Sequence, residues 1–92
     1  MTAEQQIRQL LMVALEPTRL DVANESHLHA GHASSPGTGE SHFRILIVSS
    51  KFLGLNRLAR HRLVNDTLAG LLRDRIHALA IKAVAPGEAL DP

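Results

Sequence analysis

The chain has 92 residues, with 45% apolar but only 2% aromatic side chains, a formal charge of +1 and no cysteine. It is read as one small domain whose leucines, isoleucines, valines and alanines must build the core, burying roughly 60–65% of the unfolded surface. Near-neutral charge argues against indiscriminate polyanion binding, and the lack of cysteine excludes disulfides and any thiolate ligand of the chain's own. No apolar run nears the roughly 18 residues that span a bilayer, and the N-terminus shows no cationic stretch leading into an apolar one. A cytoplasmic protein without membrane partners is the expectation.

In chain order, Thr2-Ala-Glu-Gln5 fits a capping box, and Ile7, Leu10, Leu11, Ala14 and Leu15 make one apolar stripe. They predict a helix that Pro17 ends. Residues 20–24 alternate as a short strand. Residues 26–40, rich in Gly, Ser and Pro, predict a flexible loop, long for a connection in a compact domain. Residues 43–48, Phe-Arg-Ile-Leu-Ile-Val, are apolar on both faces and predict the central strand. A turn at 51–54 leads to a short helix over 55–60 and a longer one with Val64, Leu68, Leu71 and Leu72 on one face. The last strand is expected at 76–81, and 86–92 as a tail. The ordered core of this single domain, 1–92, is then about 2–85. The order α-β-β-α-α-β predicts an α+β fold, a three-stranded mixed sheet with helices on one face. The first pair is antiparallel, and the helical crossover permits a parallel second pair.

Four of the six histidines fall between Asn24 and Phe43: His27, His29, His32 and His42. Neutral imidazole is a common transition-metal ligand and titrates near physiological pH, so this clustering points to metal binding or a proton-linked switch. A single loop histidine is more often a solvated residue, but three within six residues favour ligation. A mononuclear zinc site at His27, His29 and His32 is one reading; its Gly/Ser setting shows no supporting shell. His42 beside Phe43, and His61 between Arg60 and Arg62, are read as structural. Arg57, Arg60 and Arg62 form a basic cluster at a helix–helix junction, able to contact phosphates or a partner surface. No nucleophile motif, phosphate-binding glycine loop or carboxylate pair marks an enzyme.

Asn24-Glu-Ser26, Glu40-Ser-His-Phe43, Val48-Ser-x-x-Phe52-x-Gly54, Arg60-His-Arg62 with Val64-Asn65, and Ile76-His-Ala-Leu79 resemble the BolA family in order and separation. The resemblance runs from Leu20 to about Ala85. It implies a fold similar to the class II KH domain, without the Gly-x-x-Gly loop that clamps nucleic acid in true KH domains. It also implies partnership with a monothiol glutaredoxin, sharing a bridging 2Fe–2S cluster with glutathione; some members are described as DNA-binding regulators. Histidine can replace cysteine on one iron of such a cluster. The C-terminal ligand of the family falls on His77. The loop ligand falls on His29 when counted from Asn24-Glu-Ser26, on His32 when counted back from Ser41-His42-Phe43, with His27 third. The function implied is a non-enzymatic adaptor in iron–sulfur trafficking or iron sensing, holding no stable cluster alone; self-association stays open. The alternative is a transcriptional regulator reading DNA weakly through a helix-turn-helix-like region, Leu55–Arg73; Val64–Leu72 has Asp66 but no Lys or Arg to support it.

Overall fold

The computed structural model describes residues 2–25 and 42–88. The elements are α1 (Ala3–Leu15), β1 (Arg19–Asn24), β2 (His42–Val48), a 3-10 turn (Ser50–Phe52), α2 (Arg57–Thr67), α3 (Ala69–Asp74) and β3 (Ala78–Val84). The α-β-β-α-α-β order and the α+β class agree with the sequence reading. The stretch 26–40 and its three histidines lie outside the described residues.

The capping box forms as read: the Gln5 amide donates to Thr2 Oγ1 at 3.1 Å, and the Thr2 amide donates to Gln5 Oε1 at 2.8 Å. Ala3, Ile7, Leu11 and Leu15 are the buried positions of α1, one ridge at a spacing of four. Leu10 and Ala14, expected on the same stripe, stay exposed. They fall to the side of that ridge, where they line a groove with Thr67 and Leu71. Glu16 closes α1 in the left-handed region (φ 46°), and Pro17 cannot continue the helix.

The sheet order is β1-β2-β3, so β2 is central as expected. β1 pairs with β2 antiparallel, Val22 opposite Ile45, and β3 pairs with β2 parallel, Ile45 opposite Ile81. Phe43, Ile45 and Ile47 are buried in alternation along β2 and join Ile7, Leu11, Val64, Leu68 and Leu71 in one core cluster. Such alternation lets one face of the sheet carry the helices.

Several boundaries differ from expectation, among them the end of β3, which runs on to Val84 and not Ile81. α2 runs unbroken through Arg60–Val64, because Asn56 caps it (Oδ1 to the Ala59 amide, 2.8 Å) and no glycine or proline interrupts it. The break comes at Leu68, whose N–H is shared between the carbonyls of Val64 and Asn65. β3 starts at Ala78, since Arg75 and Ile76 both donate to the Leu71 carbonyl, at 2.7 and 2.8 Å, and Ile76 is thereby held at the end of α3. Finally, Glu88, which the sequence places in the tail, is fixed. It receives Arg60 and the Ala85 amide, with Gly87 (φ 89°) making the turn.

Ser49 is the one buried polar side chain among the described residues. Its hydroxyl donates to the Leu15 carbonyl at 2.6 Å and accepts from the Lys51 amide at 3.1 Å, joining the end of α1 to the end of β2. Ser49→Ala leaves both backbone groups without this partner in a dry setting. A loss of about 1–3 kcal/mol is expected, read as a lower urea midpoint with unchanged slope; a variant as stable as the parent contradicts it.

Candidate metal centre and basic patch

Parallel pairing brings His42, the first residue of β2, opposite Ala78, the first of β3. His77 immediately precedes Ala78, so the two imidazoles meet at one end of the sheet. Their ring centroids are 5.3 Å apart with the planes at 61°, an edge-on contact. His77 is exposed and His42 half-buried. No hydrogen bond or ion pair of the His77 side chain is found among the described residues. A histidine with its ring nitrogens this uncommitted is chemically available as a ligand.

The same end of the sheet anchors the histidine-bearing stretch. The Glu25 amide donates to the His42 carbonyl at 2.8 Å, and Glu25 also pairs with Arg44 at 3.0 Å. The chain therefore leaves the sheet at Glu25 and re-enters it at His42, beside His77. His27, His29 and His32 lie outside the described residues, so the choice among them stays as the sequence left it. Among the described residues, no three His, Asp or Glu side chains converge on a metal position. His42, read from the sequence as structural, is the neighbour that sequence reasoning did not connect to His77.

The basic residues separate. All three sit on the first two turns of α2 and not at a helix junction, because α2 continues to Thr67. Arg60 is half-buried and fully engaged. It donates to the carbonyls of Leu55 (2.8 Å) and Ala83 (3.2 Å) and to both carboxylate oxygens of Glu88 (2.6 and 2.8 Å). This clamp fastens the C-terminal turn and the end of β3 to α2, so Arg60 serves the fold and has little left for phosphate or partner. Arg57 and Arg62 are exposed. Arg57 shares a pocket of about 620 Å³ with His61, Lys82 and Glu88, while Arg62 faces another with Leu58, Leu63 and Asp66. His61 thus lies mid-helix on a pocket wall.

The hydrogen bonds from Arg60 and then from the Ala85 amide hold the Glu88 carboxyl at about 2, below its ordinary 4.5. A folded-state value below the unfolded one means the ionised group stabilises the fold fully above about 4.5. That contribution fades as pH falls through about 2. Glu88→Gln is expected to lower the urea midpoint at neutral pH. The gap to the parent should close across that acid interval; a gap independent of pH contradicts the clamp.

The BolA-like protein family profile matches residues 11–88. An uncharacterized protein in the cobS 5' region of Sinorhizobium is 51% identical over 89 residues, covering 96% of each chain. Human BolA-like protein 1 is 49% identical over 85 residues, 92% of this chain, which spans 59% of that protein's length. The DNA-binding transcriptional regulator BolA of Vibrio cholerae is 48% identical over 75 residues, 82% of this chain and 67% of that protein. Among solved structures, BolA1 of Arabidopsis thaliana superposes with a TM-score of 0.86 at 38% identity over 97% of both chains. The BolA domain of Arabidopsis SufE1 gives 0.84 at 41% over 94% of both. The chain belongs to the BolA family.

Proposed function

We propose that the protein is a non-enzymatic adaptor that docks a monothiol glutaredoxin and supplies histidine ligands to a 2Fe–2S cluster shared with it and with glutathione. The observation that carries this reading is the exposed His77, edge-on to His42 where the stretch bearing His27, His29 and His32 leaves and re-enters the sheet. The donor chemistry fits a shared centre. With no cysteine, the chain offers imidazoles only, so thiolates must come from the partner and glutathione, and imidazole is an accepted cluster ligand. His77 with His29 or His32, or with His27 as the third choice, would hold one iron; the bound cluster would supply the visible absorption and redox chemistry.

The test mixes the chain with a cluster-loaded monothiol glutaredoxin and glutathione and records visible absorption and circular dichroism. The chain alone should be colourless, and the mixture should give a spectrum that neither component shows. Stable reconstitution of a cluster on the isolated chain, or an unaltered spectrum in the mixture, overturns the reading.

A second reading, a DNA-binding regulator, is favoured by the name of the Vibrio relative. Here α2 and α3 are separated only by Leu68, where a helix-turn-helix has a turn of about 3–4 residues. Arg60 is already committed to Glu88. Tight, sequence-selective duplex binding at physiological salt would place this reading first.

A further inference from the structure

Each outer edge of the sheet is touched by an arginine from a helix. Arg8 of α1 donates to the Val22 carbonyl on β1 at 3.3 Å, and Arg60 of α2 donates to the Ala83 carbonyl on β3 at 3.2 Å. In a strand, successive residues turn their backbone groups alternately toward and away from the neighbouring strand. The Ser49 amide donates to the Val84 carbonyl at 3.0 Å, so Val84 faces β2, as do Lys82 and Ala80 before it. Leu79, Ile81 and Ala83 therefore face outward. Arg60 takes the Ala83 carbonyl, but the outward amides and carbonyls of Leu79 and Ile81 make no hydrogen bond among the described residues.

No strand pairs with that edge among the described residues. The run Ala78-Leu-Ala-Ile81 carries no proline and no charge, two of the usual devices that blunt an edge. Its C-terminal half opens onto the 620 Å³ pocket between β3 and the start of α2. Arg57, His61 and Lys82 line this pocket. Glu88 is matched by Arg60, whereas Arg57 and Lys82 enter no ion pair among the described residues. The edge thus offers backbone groups for a strand and, alongside it, two uncompensated positive charges. β1 offers less: Arg8 touches its edge, Asn24 is engaged, and Arg19 is balanced by Asp21 at 2.9 Å.

We propose that the outer edge of β3 and the adjoining pocket dock an extended acidic segment of a partner protein. The segment adds as a strand beside Leu79 and Ile81, and its carboxylates meet Arg57 and Lys82. Main-chain hydrogen bonds supply the common part of such affinity and the flanking charges select the sign of the partner. From Leu79 to Ala83 the edge is about 13 Å long, room for a segment of roughly five residues. This inference stands apart from the cluster reading, since neither needs the other's residues.

The test uses two short synthetic peptides, one alternating threonine with glutamate and one alternating threonine with lysine, titrated into the isotopically labelled chain. The glutamate peptide should shift the amide resonances of Leu79, Ile81 and Lys82 and slow hydrogen exchange at the Leu79 and Ile81 amides. Its binding should weaken as salt is raised, and the Arg57→Glu, Lys82→Glu double variant should lose about tenfold or more in affinity. Equal binding of the lysine peptide overturns the proposal. So does binding without added protection at Leu79 and Ile81, or no binding at all.

Discussion

His77→Ala is expected to abolish the mixed spectrum formed with cluster-loaded glutaredoxin while leaving the fold intact. The side chain is exposed and makes no hydrogen bond or ion pair among the described residues, so its removal should change stability by no more than about 0.5 kcal/mol. The effect on the shared centre should be far larger. Residues that merely support a metal ligand cost about 10–100-fold in affinity when removed, so loss of a ligand should cost at least about 100-fold. His42→Ala, which takes away the ring that His77 stands against, should fall within the supporting range. His61→Ala, on the wall of a pocket along α2, should change nothing in the spectrum. In the histidine-bearing stretch, His29→Ala or His32→Ala alone should be partly compensated by the other, and the double change should match His77→Ala. An unaltered spectrum from His77→Ala, or from the double change, contradicts the ligand assignment.

What could be read from the sequence was whatever is encoded locally. Thr2 and Gln5 announce the start of α1, and Pro17 announces its end, because capping and proline act within one turn. The apolar run Ile45-Leu-Ile-Val48 of β2 identifies the central strand for a similar reason: a strand covered on one face and flanked on both edges carries little charge, here Arg44 alone. The features that escaped depend on register or on distant partners. The His42–His77 contact follows from parallel pairing of residues 36 apart in the chain, as Phe43 opposite Leu79 illustrates, and no local pattern specifies that pairing. Arg60 looked like one of three equivalent arginines. Its commitment to Glu88 joins residues 28 apart, and the acidic partner sat in a stretch read as a tail. The break between α2 and α3 was misplaced because it occurs at a leucine, without glycine or proline to mark it. Ser49 gave no signal, since its role comes only from being sealed between α1 and β2.

Phe43→Ala should lower stability by about 3–5 kcal/mol. The chain has two phenylalanines and no tyrosine or tryptophan, so large core volume is concentrated in very few side chains. Phe43 is 2% exposed and lies between Asn24 on β1 and Leu79 on β3, at the sheet end that carries His42 and His77. A domain of this size has about 5–14 kcal/mol of total stability, so the substitution removes a large share of it. At about 4–8 °C per kcal/mol, the melting temperature should fall by roughly 12–40 °C. Phe43→Leu keeps much of the volume and should cost about 1–1.5 kcal/mol. Phe52→Ala, equally buried but outside the sheet, should cost about as much as Phe43→Ala. The two alanine variants should then part company in function when assayed in the cold, where both remain folded. A void under Phe43 loosens the β2 and β3 starts that set the two imidazoles against each other, so cluster sharing should weaken there and not in Phe52→Ala. Equal cluster sharing by both variants would mean that packing under the sheet end does not position His77. A loss below about 1 kcal/mol for Phe43→Ala would mean that the neighbouring leucines and isoleucines collapse into the space, and that the core does not depend on its aromatic ring.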